Sequence, residues 1–384
     1  MSWCDLAMAG VKSELLAGTS PCRQRESLSL PAAQGDYLPA LDGLRAVSIA
    51  LVVISHLGLP HVVPGAFGVT LFFFISGALI TRQLLASLAR HGKIDFAGFY
   101  LRRVLRLAPA ACCYILVAGC VYAAAGGRIS LAGWLGALFY GANYLDLWGF
   151  YRSALPGVRH PFNILWSLAI EEHFYAVWPL ALAFLWRRRA ALAAILLLCA
   201  AAPLWRLWLL HLCFTPGAPE FCGPIATGAW RYNRLYLATD ARLDSLAWGV
   251  AFALLAHVGR APPRWLAWPG VALLAASFVG ANPLARDVLR PTLQGAALLA
   301  CFPALLASLG PLRAPAAIFI GRLSYSLYLW HWGALMLADM VAPRDTLTWI
   351  VCGAASSAAL ALISYLAIEQ PMKRVRRHFG AAAR

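Results

Sequence analysis

From Ala46 onward the chain is a succession of apolar runs, each close to twenty residues long and separated by short polar or basic stretches. A helix rising ~1.5 Å per residue needs a run of that length to cross a hydrocarbon layer of roughly 30 Å. With 61% of its 384 residues hydrophobic and only 12% charged, the chain is too apolar for a soluble fold of this size. The expected fold is therefore an all-α polytopic membrane protein of about ten transmembrane helices. The expected spans are Ala46–Val63, Phe67–Leu88, Leu107–Ala125, Leu165–Trp186, Ala190–Leu210, Leu243–Val258, Trp265–Gly280, Pro291–Leu309, Ala316–Met340 and Leu347–Ile368. The apolar segment Leu131–Leu147 carries Asn143 and Asp146, which suits a re-entrant or interfacial helix better than a further span.

Charge sets the expected orientation. Of the 32 Lys and Arg residues, 22 fall in the N-terminal lead, at Arg45, between Arg82 and Arg106, in Arg187–Arg189, at Arg260, Arg264, Arg313 and Arg322, and after Ile368. Ten spans with both termini cytoplasmic put all of these inside, as the positive-inside rule requires. The net charge of +16 is thus a consequence of topology, and no nucleic-acid partner is expected. Residues 1–36 read as a disordered cytoplasmic lead without a signal-peptide core, 37–372 as one membrane domain, and 373–384 as a basic cytoplasmic tail with no soluble domain appended. The ten cysteines include no C-x-x-C pair, so no metal site is expected. Cys213 and Cys222 share an outer loop and could bond in an oxidising periplasm.

Polar residues inside such spans are costly and mark sites facing a shared interior. The first span, LDGLRAVSIALVVISHLG, sets Arg45 at its cytoplasmic mouth and His56 in its outer half. Eleven residues separate them, close to three helical turns, so both side chains face one way. In GVTLFFFISGALIT, Ser76-Gly77 reads as a small-residue packing step. The entrance FYLRRVLRLAP offers Arg102 and Arg106 as an i, i+4 pair with Arg103 on the adjoining face, either a phosphate clamp or simple anchoring. Glu171 and Glu172 sit adjacent in the fourth span, Arg242 and Asp244 near the start of the sixth form either a local salt link or part of a site, and Ser324, Tyr325, Tyr328 and His331 cluster in the ninth. Glu369, before Pro371, reads as a tether for a helix end. The intramembrane set is then His56, Glu171, Glu172, Asp244 and His331. Acids, bases and cations around a common cavity suit proton transfer or group transfer.

In order, the chain carries LDGLRA with Arg-x10-His, GVxLFFxxSGxLI, FYxRRxxRxxP, WSLAxEExFYxxWP, RLDxLxxG, GxxSYxxYLWH and ExP. It resembles the acyltransferase-3 family, bacterial integral-membrane O-acyltransferases that modify surface glycans and some secondary metabolites, over Leu41 to about Pro371. The resemblance implies essential roles for Arg45 and His56, with His56 nearest the chemistry. It associates Arg102, Arg103 and Arg106 with an acyl-CoA donor. Ala78 and His173 depart from the commoner residues of those motifs, and His173 adds a rival base. Some relatives carry a C-terminal periplasmic hydrolase-like domain, which is not expected here.

Taken together, an acyl group, acetyl first among them, is expected to pass from cytoplasmic acyl-CoA to a hydroxyl of a surface glycan or glycosylated metabolite. His56 would be general base, with an acyl-histidine intermediate as the variant, Glu171 its first orienting partner and Asp244 the second. Acyl-CoA is a substrate, and no resident cofactor or metal is expected. The expected location is the inner membrane. The competing class is a proton-coupled transporter or flippase, which also uses buried His, Glu and Asp, but the chain lacks an internal repeat or a matched pair of broken helices.

Overall fold

In the computed structural model, residues 38–59, 62–213, 219, 222, 234–280, 282–308 and 310–381 are described. The expected lead 1–36 lies outside the described residues, as do most of the loop after Cys213 and the last residues of the basic tail. Among the described residues there is no strand. In chain order the helices are α1 (Pro39–His56), α2 (Gly65–His91), α3 (Phe96–Ala124), α4 (Leu131–Leu138), α5 (Ala142–Leu147), α6 (Leu165–Arg187) and α7 (Ala191–Cys213). There follow α8 (Arg234–Leu237), α9 (Thr239–His257), α10 (Ala267–Ser277), α11 (Arg290–Ser308), α12 (Pro315–Val341), α13 (Leu347–Ser364) and α14 (Gln370–Ala381).

Seven helices are long and apolar enough to cross a membrane by length and composition: α1, α2, α3, α6, α7, α11 with the π-helical turn before it, and α13 continued through α14. The other three expected spans are also helical, as α9, α10 and α12. They differ in kind. α10 has only 11 residues, a rise of ~16 Å that covers about half of a ~30 Å layer. The segment Leu131–Leu147, expected as one re-entrant or interfacial helix, forms two short helices, α4 and α5, broken at Tyr140, whose φ of 58° is left-handed. Helix ends follow local chemistry. Asp95 accepts from Gly98 N–H at 2.9 Å to start α3, Thr346 accepts from Trp349 N–H to start α13, and Gly92 at φ 67° closes α2.

Burial orders the bundle. The most apolar window of α2 is 72% buried and that of α7 only 28%, so α2 is central and α7 faces lipid. Around α2 stand α1, α9 and α6, and α12 packs against α1, α3 and α13. Two glycines make the closest of these contacts possible. A Cβ on Gly77 would lie 2.1 Å from the Leu246 carbonyl oxygen, and one on Gly321 only 1.8 Å from that of Asp42. The Ser76-Gly77 step therefore does join α2 to α9 backbone to backbone, and Gly321 does the same for α12 and α1. Glu369 accepts from Ser326 Oγ at 2.5 Å, tying the turn that follows α13 to α12, with the charges of Lys373 and Arg106 close by. Cys213 and Cys222 are joined by a disulfide.

Candidate active site

A cavity of about 80 Å³ lies among α1, α2, α3, α6 and α12. Its polar lining is Arg45, Ser76, Arg103, Arg106, Glu171 and Tyr175, with Ser167, Ser324, Tyr325 and Tyr328 toward α12 and the start of α6. Three arginines and one carboxylate on a shared cavity give it a strongly cationic wall, which in low dielectric recognises an anion.

Contacts along the cavity wall and behind it hold several of these side chains. Arg45 lies 3.6 Å from Asp42, one turn earlier on α1, and Asp42 also pairs with Arg322 of α12 at 3.5 Å. Arg103 stacks its guanidinium over the Tyr175 ring at 4.7 Å. Glu171 accepts from Ser76 Oγ at 2.8 Å and from Tyr175 Oη at 3.0 Å. Tyr325 Oη donates to the Leu107 carbonyl at 2.8 Å, pinning α12 to α3.

Tyr328 connects this cavity to a second constellation. Its hydroxyl bonds Ser167 Oγ, and its ring lies 5.7 Å from that of His331, three residues on. His331, completely buried, places Nε2 at 3.1 Å from Nδ1 of His56 across α12 and α1. The edge of Trp332 packs on His56 at 5.0 Å. Trp332 in turn donates Nε1–H to the His160 carbonyl at 2.9 Å and lies under the Arg159 guanidinium at 4.7 Å. Arg159 bonds Asp339 at 2.8 Å, so the loop before α6 is clamped onto α12 beside His56.

The expected site residues divide accordingly. Arg45, Arg103, Arg106 and Glu171 come together on one cavity, and His56 stands beyond Tyr328, at the far end of α1 from Arg45. Arg102 is not with them. It is half exposed and pairs with Asp95 at 3.4 Å, because 100° of helix rotation per residue turns it away from the face shared by Arg103 and Arg106. Glu171 accepts from Ser76 and Tyr175 on the cavity wall, and His56, which does not line that cavity, pairs with His331 instead. Asp244 is also elsewhere. It forms a bidentate, fully buried pair with Arg206 of α7 at 2.8 and 3.0 Å, completed by Thr292 at 2.7 Å. No salt link joins Arg242 to Asp244; Arg242 reaches Thr70 at 3.3 Å and the faces of Tyr236 and Phe73. His173, the rival base, bonds Thr239 Oγ1 at 2.8 Å on the opposite flank of α6 from Glu171.

Sequence reasoning missed Asp42, Tyr175, Arg159, Arg206 and Asp339. Three carried a signal: Asp42 precedes Arg45 by three residues, Tyr175 follows Glu171 by four, and Arg206 interrupts the long apolar run of α7. Arg159 carried none, because its partner Asp339 is 180 residues away. Among the described residues no cluster of three metal-ligating side chains occurs.

The described residues form an all-helical, multi-pass membrane bundle that gathers three arginines and a glutamate on one cavity and pairs two histidines beyond it. The family model described as "Acyltransferase domain", that of the acyltransferase-3 family, matches residues 38–366. The chain belongs to that family. It is 31% identical over 373 residues to the protein named "Putative peptidoglycan O-acetyltransferase YrhL" of Bacillus subtilis, which covers 88% of this chain and 55% of the relative. It is 27% identical to "Peptidoglycan O-acetyltransferase OatA" of Listeria monocytogenes, over 88% of this chain and 56% of that protein. It is 28% identical to "O-acetyltransferase OatA" of Staphylococcus aureus, over 88% and 57%. The chain thus spans little more than half the length of these relatives. No solved structure matches it.

Proposed function

We propose that the protein is a membrane O-acyltransferase that moves an acyl group, acetyl first among the candidates, from acyl-CoA to a hydroxyl of a glycan outside the cytoplasm. The observation that carries this reading is the cavity on which Arg45, Arg103 and Arg106 converge, connected through Tyr328 to the His331–His56 pair, in a chain of the acyltransferase-3 family. The names of the relatives supply the acceptor class, and peptidoglycan is the glycan two of them name.

Both termini are placed in the cytoplasm of a cell whose inner membrane the bundle spans, with all ten apolar segments contributing to the crossing. The charge distribution supports this, and the disulfide at the end of α7 is consistent with it, since this orientation puts that bond outside the reducing cytoplasm. The donor phosphates dock on Arg103 and Arg106, and Arg45 neutralises charge further in. Glu171, fixed by Ser76 and Tyr175, balances the arginine cluster and keeps Arg103 aligned. The pantetheine arm extends past Tyr328 and carries the thioester to His56.

His56 then takes the proton of the acceptor hydroxyl while that oxygen bonds to the thioester carbonyl carbon. The C–S bond breaks, the thiolate recovers the proton from the imidazolium, and neutral His56 is restored. Trp332, held by Arg159 and the His160 carbonyl, keeps the imidazole in place and water from its flank. Membrane vesicles supplied with radiolabelled acetyl-CoA and isolated peptidoglycan test the reading. Label is expected in the glycan, and His56→Ala is expected to abolish it while CoA binding persists. Glycan that stays unlabelled with every acyl-CoA tried, together with glycan translocation by the same vesicles, would overturn it in favour of a transporter.

A further inference from the structure

An imidazole is a general base only at the ring nitrogen that lacks a proton, and in a neutral ring a hydrogen bond at the other nitrogen decides which one that is. In this bundle that decision can be traced through two rings to a backbone carbonyl. Nδ1 of His331 lies 3.0 Å from the carbonyl oxygen of Leu327, one turn earlier on α12. A carbonyl oxygen only accepts, so Nδ1 of His331 carries the proton and Nε2 of the same neutral ring is an acceptor. That Nε2 is the atom 3.1 Å from Nδ1 of His56. Hence Nδ1 of His56 must donate, and Nε2 of His56 is the nitrogen with the lone pair.

The geometry fits a hydrogen bond in the plane of the rings rather than a face-to-face stack. The two ring planes differ by 10°, their centroids are 5.3 Å apart, and two facing nitrogens 3.1 Å apart account for that separation once the ring radii are added. Both rings are also held. His331 is wholly buried between Tyr328 at 5.7 Å and its own helix, and the Trp332 edge bears on His56 at 5.0 Å. These contacts suit an orienting group: a buried, immobile acceptor aimed at the nitrogen that must not do the chemistry.

We propose that His331 is a positioning residue that locks His56 in its Nδ1–H tautomer, leaving Nε2 as the basic nitrogen. This rests on the reading of His56 as the general base and deepens it. When His56 takes the acceptor proton on Nε2, its Nδ1–H stays bonded to His331 Nε2, and the new charge is shared along the chain from His56 through His331 to the Leu327 carbonyl. The proton count does not change at His331. The role is that of a carboxylate that orients a catalytic histidine, filled here by a neutral ring that can sit in an apolar bundle without the desolvation cost of a charge.

The test is the tautomer itself. The full chain, labelled with ¹⁵N-histidine and held in lipid vesicles, is examined by magic-angle-spinning NMR, with the His56 resonances assigned by their loss in His56→Gln. Wild type is expected to show a protonated Nδ1 and an unprotonated Nε2 at His56. His331→Gln, whose amide oxygen can still accept, should keep that tautomer and keep kcat within several-fold. His331→Leu, of similar bulk but with no acceptor, should populate the Nε2–H form. Its kcat should fall on the order of 10²-fold or more, toward the full contribution of a positioned base, with donor KM unchanged. An Nε2–H tautomer in wild type overturns the proposal without recourse to any His331 variant, and so does an unchanged Nδ1–H population in folded His331→Leu. Should the tautomer shift as expected while neither His331→Leu nor His56→Ala slows transfer, the hydrogen-bond assignment stands and the general-base reading fails.

Discussion

The arginines at the start of α3 offer a sharp test, because the bundle separates residues that adjoin in sequence. Arg103 and Arg106 line the cavity, whereas Arg102 points outward to Asp95 with 40% of its side chain exposed. A charge-assisted hydrogen bond to a phosphate contributes roughly 1.5–3 kcal/mol, and each 1.4 kcal/mol is about tenfold in affinity. Arg103→Gln or Arg106→Gln should therefore weaken CoA binding by about tenfold to a hundredfold. Arg102→Gln loses only a solvent-screened pair, worth about 0–1 kcal/mol to folding, and should leave CoA affinity within about twofold. Isothermal titration of CoA into purified protein in nanodiscs measures each directly. The Lys variants then separate charge from shape. Arg103→Lys keeps the inside charge and the topology but loses the planar fork and its stacking on Tyr175, and should recover only part of the lost affinity. Equal weakening by Arg102→Gln and Arg103→Gln, or no weakening by Arg103→Gln, would refute the assignment of the clamp to the cavity-facing pair.

Asp244→Ala leaves the Arg206 guanidinium buried without its carboxylate, so a loss of about 3–5 kcal/mol of stability is expected from thermal unfolding, with kcat and KM per folded molecule unchanged. Catalytic loss at unaltered stability would return Asp244 to the site. Asp146, in the short helix α5 outside the spans, has its carboxyl pushed up to about 7 by burial, against which the hydrogen bond from Asn163 at 2.7 Å works only in part. A raised carboxyl pKa means that the folded state holds the proton more tightly than the unfolded chain does. Stability is then full below about pH 4 and falls as pH rises to about 7. Asp146→Asn should accordingly raise the melting temperature at pH 8, by an amount that shrinks to nothing near pH 4, and a pH-independent difference would contradict the burial argument. For the topology, Ser153→Cys in a background stripped of free cysteines should react with a membrane-impermeant maleimide on intact cells. Reaction only after permeabilisation would reverse the orientation.

The helical class of this protein, the places of its apolar segments and the pairing of Arg45 with His56 on one helix are all local properties. Each depends on run length or on residue spacing within a single helix, so each was legible in the sequence. The seven ordered motifs marked most of the residues that meet at the cavity. The proximity of Cys213 and Cys222, nine residues apart, was legible for the same reason. What sequence spacing could not supply was the absolute rotation of each helix about its own axis. The spacing states that Arg102 and Arg103 diverge by 100°, but only the packing of α3 against α6 and α12 decides which of them meets the cavity. Nor could it choose long-range partners. Asp244 has an arginine two residues away and bonds instead to Arg206, 38 residues distant on α7, since a guanidinium already buried in the bundle gains most from a carboxylate at the same depth. His56 finds its acceptor 275 residues later, in His331. That meeting needs α12 packed along α1, a pairing to which the close backbone approach of Gly321 to Asp42 contributes and which neither helix specifies alone.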